Sequence, residues 1–158
     1  MSVANGPAAD PRRFPFPPAI PIVALLLSWG VGRQWPIDVS WPVWSRWVGW
    51  ALVIASVVLA VSAVRTFRRH HAAVNPLGQV TTVVASGPFR FTRNPMYLSL
   101  LVLHIGGTLA FRLPWAAILF VPVFLALQFG VIVPEEAYLA AACGEPYRLY
   151  RQRVRRWL

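Results

Sequence analysis

The sequence has no lysine and only five acidic residues, so all fifteen of its basic residues are arginines and its formal net charge is +10. It also has a single cysteine, Cys143, which excludes an internal disulfide and any metal site built from several cysteines. Because Cys143 lies among alanines, we interpret it as a packing residue. No metal site is predicted, since the adjacent His70 and His71 would point about 100° apart on a helix.

Apolar residues, in contrast, are abundant. Of the 158 residues, 57% are hydrophobic, too many for an ordinary soluble domain of this size. The eight tryptophans and fifteen prolines suit membrane interfaces and helix ends. The positive charge fits either nucleic acid or anionic lipid head groups, and the long apolar blocks favour lipids. We therefore expect membrane lipids, and not nucleic acid, as partners.

Four apolar segments predict an all-α membrane protein with about four transmembrane helices. They cover residues 19–31, 47–64, 96–111 and 115–133. The first resembles a secretory signal, but no small-residue cleavage pattern follows it, so we interpret it as a retained span. The second, at 1.5 Å per residue, is roughly 27 Å long, enough to cross the hydrocarbon core. We predict a flexible tail over residues 1–18 and one membrane domain over residues 19–158.

The last two apolar segments are separated by three residues only, which predicts a tight antiparallel helical hairpin. Gly106 and Gly107 on its first helix should let the second helix approach closely. After the hairpin, Tyr147, Tyr150 and Val154 share one face of a predicted amphipathic C-terminal helix lying on the membrane surface.

The arginines predict the orientation of the chain. With four spans, twelve arginines lie on the side of the two termini and the middle loop, and three, Arg33, Arg46 and Arg112, lie on the other. The positive-inside rule then places both termini in the cytoplasm, in an inner or cell membrane. The sequence gives no basis for an oligomeric state.

Two polar stretches interrupt the apolar chain and predict a site. Segment 86–97 carries two arginines and an Asn-Pro step, in which Pro95 suits the first position of a helix and Asn94 its N-cap. At Pro134 another apolar segment stops, and Glu135 and Glu136 follow. These acids either pair with nearby arginines at a helix end, or one of them receives the ammonium or hydroxyl groups of a ligand.

The two stretches, the hairpin between them and the C-terminal tyrosines and arginines closely resemble the integral-membrane isoprenylcysteine carboxyl methyltransferase and phospholipid methyltransferase superfamily. The resemblance covers residues 81–158, which it marks as the catalytic half. It implies a methyltransferase that uses S-adenosyl-L-methionine without a Rossmann domain, and no Gly-x-Gly-x-x-Gly loop occurs here. The cofactor-binding residues that it implies are Thr81, Thr82, Val83, Val84, Phe89, Arg93, Asn94, Pro95, Met96, Tyr97, Glu136 and Tyr147.

The acceptor implied by the resemblance is a lipophilic molecule: a prenylcysteine-like carboxylate, a phospholipid amine or another small hydrophobic compound. An amine must first lose a proton, and Glu135, Tyr97 and His104 are the candidate catalytic residues. His104 could instead be a neutral histidine bonded to a neighbouring helix. Many members have histidine at the position of Asn94, which suggests a hydrogen-bonding role that either residue can fill. Many also have an arginine, implicated in holding the substrate, at the position of Ile132 or Val133, and this departure weakens the case for a carboxylate acceptor.

Two other functions are compatible with the sequence. Membrane reductases of the sterol-reductase type share part of the hairpin pattern and use NADPH, but they are generally larger. The third interpretation is a small non-enzymatic membrane scaffold, in which the acids and arginines only pair with each other. Binding of S-adenosylmethionine or of NADPH separates these alternatives.

Overall fold

A computed structural model describes residues 16–71 and 83–158, and every regular element in these two ranges is a helix. The predicted flexible tail falls almost entirely on residues outside them. The sequence also predicts a turn at residues 75–78 and an extended or irregular segment over residues 79–85, and the turn and most of this segment lie outside the described residues too. The helices are α1 (Ala19–Gln34), α2 (Trp44–His71), a 3₁₀ helix (Gly87–Arg90), α3 (Pro95–Phe111), α4 (Pro114–Leu127), a π-helical segment (Gln128–Ile132), α5 (Val133–Cys143) and α6 (Glu145–Arg153).

Two of these helices are long and apolar enough to cross a membrane. They are Trp44–His70, with 27 residues, and Pro114–Cys143, with 30 residues, which joins α4, the π segment and α5. The predicted second span is thus confirmed as a helix, and it continues past Arg65 as expected. Because α1 and α3 have only 16 and 17 residues, the arrangement with four spans stays a prediction.

Helix α3 lies at the centre of the bundle, against α1, α2 and α4. Glycines let α2 and α3 approach very closely, since a Cβ built on Gly49 would overlap the backbone of Ala110. Gly106 faces Val53 of α2, and Gly107 faces Leu25 of α1, where a Cβ built on Gly107 would lie 2.9 Å from the leucine side chain. The expectation that these glycines serve the contact with α4 is therefore wrong, because their open sides face α1 and α2.

The hairpin between α3 and α4 is as tight as predicted. Arg112 ends α3 in the left-handed conformation, with φ of 54°. The N–H of Leu113 donates to the carbonyl of Thr108 at 3.0 Å, and Pro114 starts α4. The chain thus reverses within the three predicted residues.

The helix that begins as α4 continues through Pro134, the residue at which the apolar segment ends. The π segment precedes this residue, and the N–H of Val133 donates to the carbonyl of Gln128, five residues earlier. A proline lacks an N–H, and its ring clashes with the carbonyl four residues before it in a regular α-helix. A π turn widens the helix locally, so Pro134 is accommodated and α5 carries the two acids onward.

Candidate functional site

The segment before α3 is held against α2 and α6. Gly87 adopts φ of +57°, and a Cβ there would meet the Thr66 hydroxyl of α2 at 2.7 Å, so only glycine suits both the conformation and the space. The hydroxyl of Tyr150 on α6 donates to the carbonyl of Phe89 at 2.6 Å. These contacts hold the segment before α3, and with it the Asn-Pro turn, against α2 and α6.

Residues 154–158 form what we call the C-terminal strap, which lies across the Asn-Pro turn. The Thr92 hydroxyl and the Asn94 side-chain amide both donate to the carbonyl of Arg156, at 2.9 and 3.1 Å. The backbone N–H of Arg93 donates to the carbonyl of Arg155 at 3.0 Å. Asn94 does occupy the N-cap position of α3, but its side chain makes no capping bond, because it bonds the strap instead.

The far end of the strap is anchored on the π segment. The indole N–H of Trp157 donates to the side-chain oxygen of the buried Gln128 at 3.0 Å. The Trp157 ring also packs on Phe124, with ring centroids 5.4 Å apart. The strap therefore ties the turn before α3 to the helix that carries the acids.

Glu136 is paired with arginines. Arg156 donates to both of its carboxylate oxygens, from Nε at 3.1 and 3.2 Å and from Nη2 at 2.7 Å. Nη1 of Arg93 lies 3.4 Å from the same carboxylate, whose side chain is 7% exposed. Of the two alternatives for the acids, pairing with nearby arginines therefore holds for Glu136.

Glu135 has a different neighbour. Its carboxylate accepts a hydrogen bond from the Tyr97 hydroxyl at 2.5 Å. Within the described residues it has no cationic partner. Of the two adjacent acids, Glu135 is the one whose charge is not balanced by a protein cation.

Both acids line a cavity of about 380 Å³. It lies between the Asn-Pro turn, α5 and α6. All the described residues that the resemblance implies for the cofactor line it, and so does Glu135. The predicted residues that line the cavity are Val83, Val84, Phe89, Arg93, Asn94, Pro95, Met96, Tyr97, Glu135, Glu136 and Tyr147.

Three predicted residues are not part of this cavity as described. Thr81 and Thr82 lie outside the described residues. His104 is fully buried, and its Nε2 is 2.8 Å from the carbonyl of Ala116 on α4. It does not line the cavity, and its contact is that of a histidine bonded to a neighbouring helix. In addition, no group of three or more potential metal ligands occurs among the described residues.

Several lining residues were missed by the sequence reasoning. Tyr150 could have been found, because it shares a helical face with Tyr147. Nothing in the sequence points to the others, which the packing of α2, α5, the π segment and the residues before α1 brings to the cavity. The missed residues are Pro17, Phe67, Val131, Tyr138, Leu139, Cys143 and Tyr150.

Burial keeps the two tyrosines of α6 neutral. It raises the pKa of Tyr147, an effect that the nearby Glu136 carboxylate reinforces. It also raises the pKa of Tyr150 to about 12, with Tyr147 adding to the shift. The hydrogen bonds from Arg156 to Glu136 raise the pKa of the Arg156 guanidinium. The tyrosines are neutral: Tyr147 accepts a hydrogen bond from Arg93, and Tyr150 donates one to the carbonyl of Phe89. The charges of the site belong to the acids and arginines.

Comparison with known proteins gives two findings. Residues 44–145, well over half of the chain, match the family described as phospholipid methyltransferase. An uncharacterized protein of Haemophilus influenzae is 44% identical over 66 residues, which cover 40% of this chain and 100% of that protein. No solved structure matches the chain.

Proposed function

The chain belongs to the phospholipid methyltransferase family, and from this premise we propose that it transfers a methyl group from S-adenosylmethionine to a lipophilic acceptor at the cytoplasmic membrane face. Its two long apolar helices and this family indicate an integral membrane protein. The observation that carries the proposal is the cavity, which unites the Asn-Pro turn, the acid pair and the C-terminal tyrosines.

The residues of the cavity fit this cofactor. A volume of about 380 Å³ is in the usual range for small-molecule sites. S-adenosylmethionine, when bound, supplies a methyl group on a positively charged sulfonium. The uncompensated Glu135 carboxylate suits positive charge, and the buried Arg93 has donors without partners among the described residues. Apolar walls such as Val84 and Phe89 suit the remaining surface.

The protein contributes to the reaction by positioning the donor and the acceptor and by excluding water. Held together in the cavity, donor and acceptor react as though at a very high concentration. The exclusion of water favours a step in which the sulfonium of the donor loses its charge and leaves as a neutral thioether. If the acceptor is an amine, Glu135 can take its proton, with Tyr97 fixing the carboxylate. A carboxylate acceptor would need no such base. His104 is too enclosed by α4 to serve in this step.

The acceptor is proposed to come from the bilayer. Phe67 of α2 and Tyr138 of α5 line the cavity, and both are partly exposed on the outer surface, at 40% and 37%. An apolar acceptor could pass between these aromatic side chains, while the cofactor comes from the cytoplasm. The two ligands then use different sides of the cavity.

Calorimetric titration of the purified protein in lipid nanodiscs tests the proposal. We expect S-adenosylmethionine to bind and NADPH not to bind, whereas a reductase would show the reverse and a scaffold would bind neither. Glu135→Gln should weaken binding about tenfold or more, the loss of one charge interaction in a dry site. Glu145→Gln is the matched control, because among the described residues Glu145 forms an ion pair only with the exposed Arg148.

A second experiment identifies the methyl acceptor through the labelled methyl group that it receives. Membranes containing the protein are incubated with methyl-labelled S-adenosylmethionine, and the labelled lipids are separated and analysed. We expect a labelled lipophilic product that disappears with Glu135→Gln and persists with Glu145→Gln. Cofactor binding without any labelled lipid would contradict the proposed class of acceptor.

A further inference from the structure

Arg93 is a buried cation with unused hydrogen-bond donors. Its side chain is 9% exposed, and it lines the cavity. Within the described residues, neither its Nε nor its Nη1 has a hydrogen-bond partner. A guanidinium stays charged in proteins, and buried donors are almost always paired. These two nitrogens therefore point to an acceptor that comes with a ligand.

Glu136 does not satisfy Arg93. Its carboxylate is already held by Arg156, with the shortest contact at 2.7 Å, and Nη1 of Arg93 stays 3.4 Å away. One carboxylate between two guanidinium groups also leaves one positive charge in excess. That excess belongs on the side of Arg93, because Arg156 has its hydrogen bonds to Glu136 and is one-third exposed.

The same cavity contains an excess of the opposite sign. Glu135 accepts a hydrogen bond from the neutral Tyr97 and has no cationic partner among the described residues. Apolar side chains, among them Val84 and Phe89, form much of the remaining wall. A cavity with one unbalanced cation and one unbalanced anion is complementary to a ligand that carries both charges.

We propose that Arg93 is an anion-binding subsite that takes an oxyanion of the ligand, while Glu135 faces the positive charge of a bound ligand. Arginine suits carboxylate and phosphate groups as a fixed array of donors. This inference rests on the proposed function, which offers two sources of the oxyanion. One is the carboxylate of the methionine half of S-adenosylmethionine, and the other is the phosphodiester of a phospholipid acceptor.

The first experiment compares S-adenosylmethionine with its decarboxylated analogue by calorimetry, using the wild type and Arg93→Gln. If the carboxylate is the anion, the affinity of the wild type for S-adenosylmethionine exceeds its affinity for the decarboxylated analogue by about tenfold or more. This difference corresponds to one charged hydrogen bond. Arg93→Gln then loses this preference and binds both compounds with similar affinity. Arg151→Gln, at an exposed arginine of α6, should keep the wild-type preference.

The second experiment tests the phosphate. Binding of dihexanoyl phosphatidylethanolamine and of the phosphate-free dihexanoylglycerol is measured with the same proteins in detergent. If the phosphodiester is the anion, Arg93→Gln weakens binding of the first lipid by about tenfold and leaves the second unchanged. The preference for S-adenosylmethionine over its decarboxylated analogue then stays as in the wild type. Either result supports the anion subsite and identifies its source.

The proposal is overturned if the wild type discriminates in neither pair of compounds, a measurement that needs no variant to fold. It is also overturned if Arg93→Gln, shown to be folded by its thermal unfolding, keeps every preference of the wild type. Should Arg93→Gln not fold, Arg93→Lys keeps the positive charge and should show a reduced preference for the anionic compound. A wild type that binds neither form of the cofactor contradicts the proposed function instead, and the lipid pair still tests the subsite.

Discussion

At the scale of single residues, Glu135 and Glu136 show how neighbours in sequence obtain different roles. Consecutive side chains on a helix point about 100° apart. Glu136 therefore meets Arg93 and Arg156, while Glu135 meets the Tyr97 hydroxyl. The first acid holds the site together, and the second keeps an unbalanced charge in the cavity.

Glu136→Gln should destabilise the protein by about 2–3 kcal/mol, below the cost of breaking a fully buried ion pair because Arg156 is partly exposed. The change removes the one carboxylate that lies between the Arg93 and Arg156 guanidinium groups, so two positive charges face each other there. Thermal unfolding in nanodiscs measures the effect. The control Glu145→Gln removes a surface pair with Arg148 and should change stability by less than about 1 kcal/mol. Equal effects of the two variants would contradict the structural role of Glu136.

Tyr150 should make the protein sensitive to alkaline pH. Its pKa is raised to about 12 from the ordinary value of 10.0, chiefly by burial, so the folded state holds the phenolic proton more tightly than the unfolded state. The associated stability is complete below pH 10 and is lost as the pH rises to about 12. We expect the unfolding temperature to fall over this range.

In Tyr150→Phe the fall in unfolding temperature between pH 10 and 12 should be smaller, since the titration of Tyr150 is absent and only the raised pKa of Tyr147 remains. At neutral pH the variant should lose about 1 kcal/mol, because the Phe89 carbonyl loses its donor. Parallel pH profiles for variant and wild type would show that Tyr150 does not titrate as described.

At the scale of secondary-structure elements, the contact between α2 and α3 makes the sharpest prediction. Gly49→Ala would place a methyl group on the backbone of Ala110, which cannot move aside as a side chain can. The helices must separate, and overpacking of this kind costs about 1–3 kcal/mol or more. Thermal unfolding and the yield of folded protein from membranes measure the loss.

The matched control is Gly30→Ala in α1. Nothing lies within 4 Å of a Cβ at this position, and alanine is the better helix former. This variant should be as stable as the wild type or slightly more stable. A comparable loss in both variants would mean that the effect comes from helix flexibility and not from close packing.

The elements were predictable wherever one local signal was enough. The apolar run of α2, the three-residue hairpin loop and the helical start at Pro95 all follow from composition and spacing. The continuation of the helix through Pro134 was not predictable, because proline disfavours the interior of a regular α-helix and the π segment before it is a tertiary adjustment. The strap was missed for a similar reason: the carbonyl of Arg156 and its donors, Thr92 and Asn94, are more than sixty residues apart.

At the scale of the whole molecule, the distribution of arginines predicts a topology that labelling can test. In a Cys143→Ala background, Ser40→Cys lies between α1 and α2, and Gln152→Cys lies on α6; both positions are exposed. We expect a membrane-impermeant thiol reagent to reach Ser40→Cys from outside intact cells, and Gln152→Cys only after the cells are opened. Labelling of both positions from the same side would contradict the arrangement with four spans.

The site as a whole was predictable from sequence only through the resemblance to a family. The residues themselves indicated a polar stretch before α3 and a pair of acids. They indicated neither the different roles of Glu135 and Glu136 nor the missing partners of Arg93. Those depend on how α5, the Asn-Pro turn and the strap meet. Side-chain direction at that junction is set by packing over long separations in sequence, which no local pattern encodes.

The position of the strap gives the molecule an order of assembly. Arg156 and Trp157 are synthesised after all the helices, yet they anchor Glu136 and Gln128. A nascent chain that has emerged from the ribosome only as far as α6 can already have its apolar helices in the bilayer, but Glu136 and the Asn-Pro turn are not yet joined by the strap. These contacts form only after Arg156 and Trp157 have left the exit tunnel.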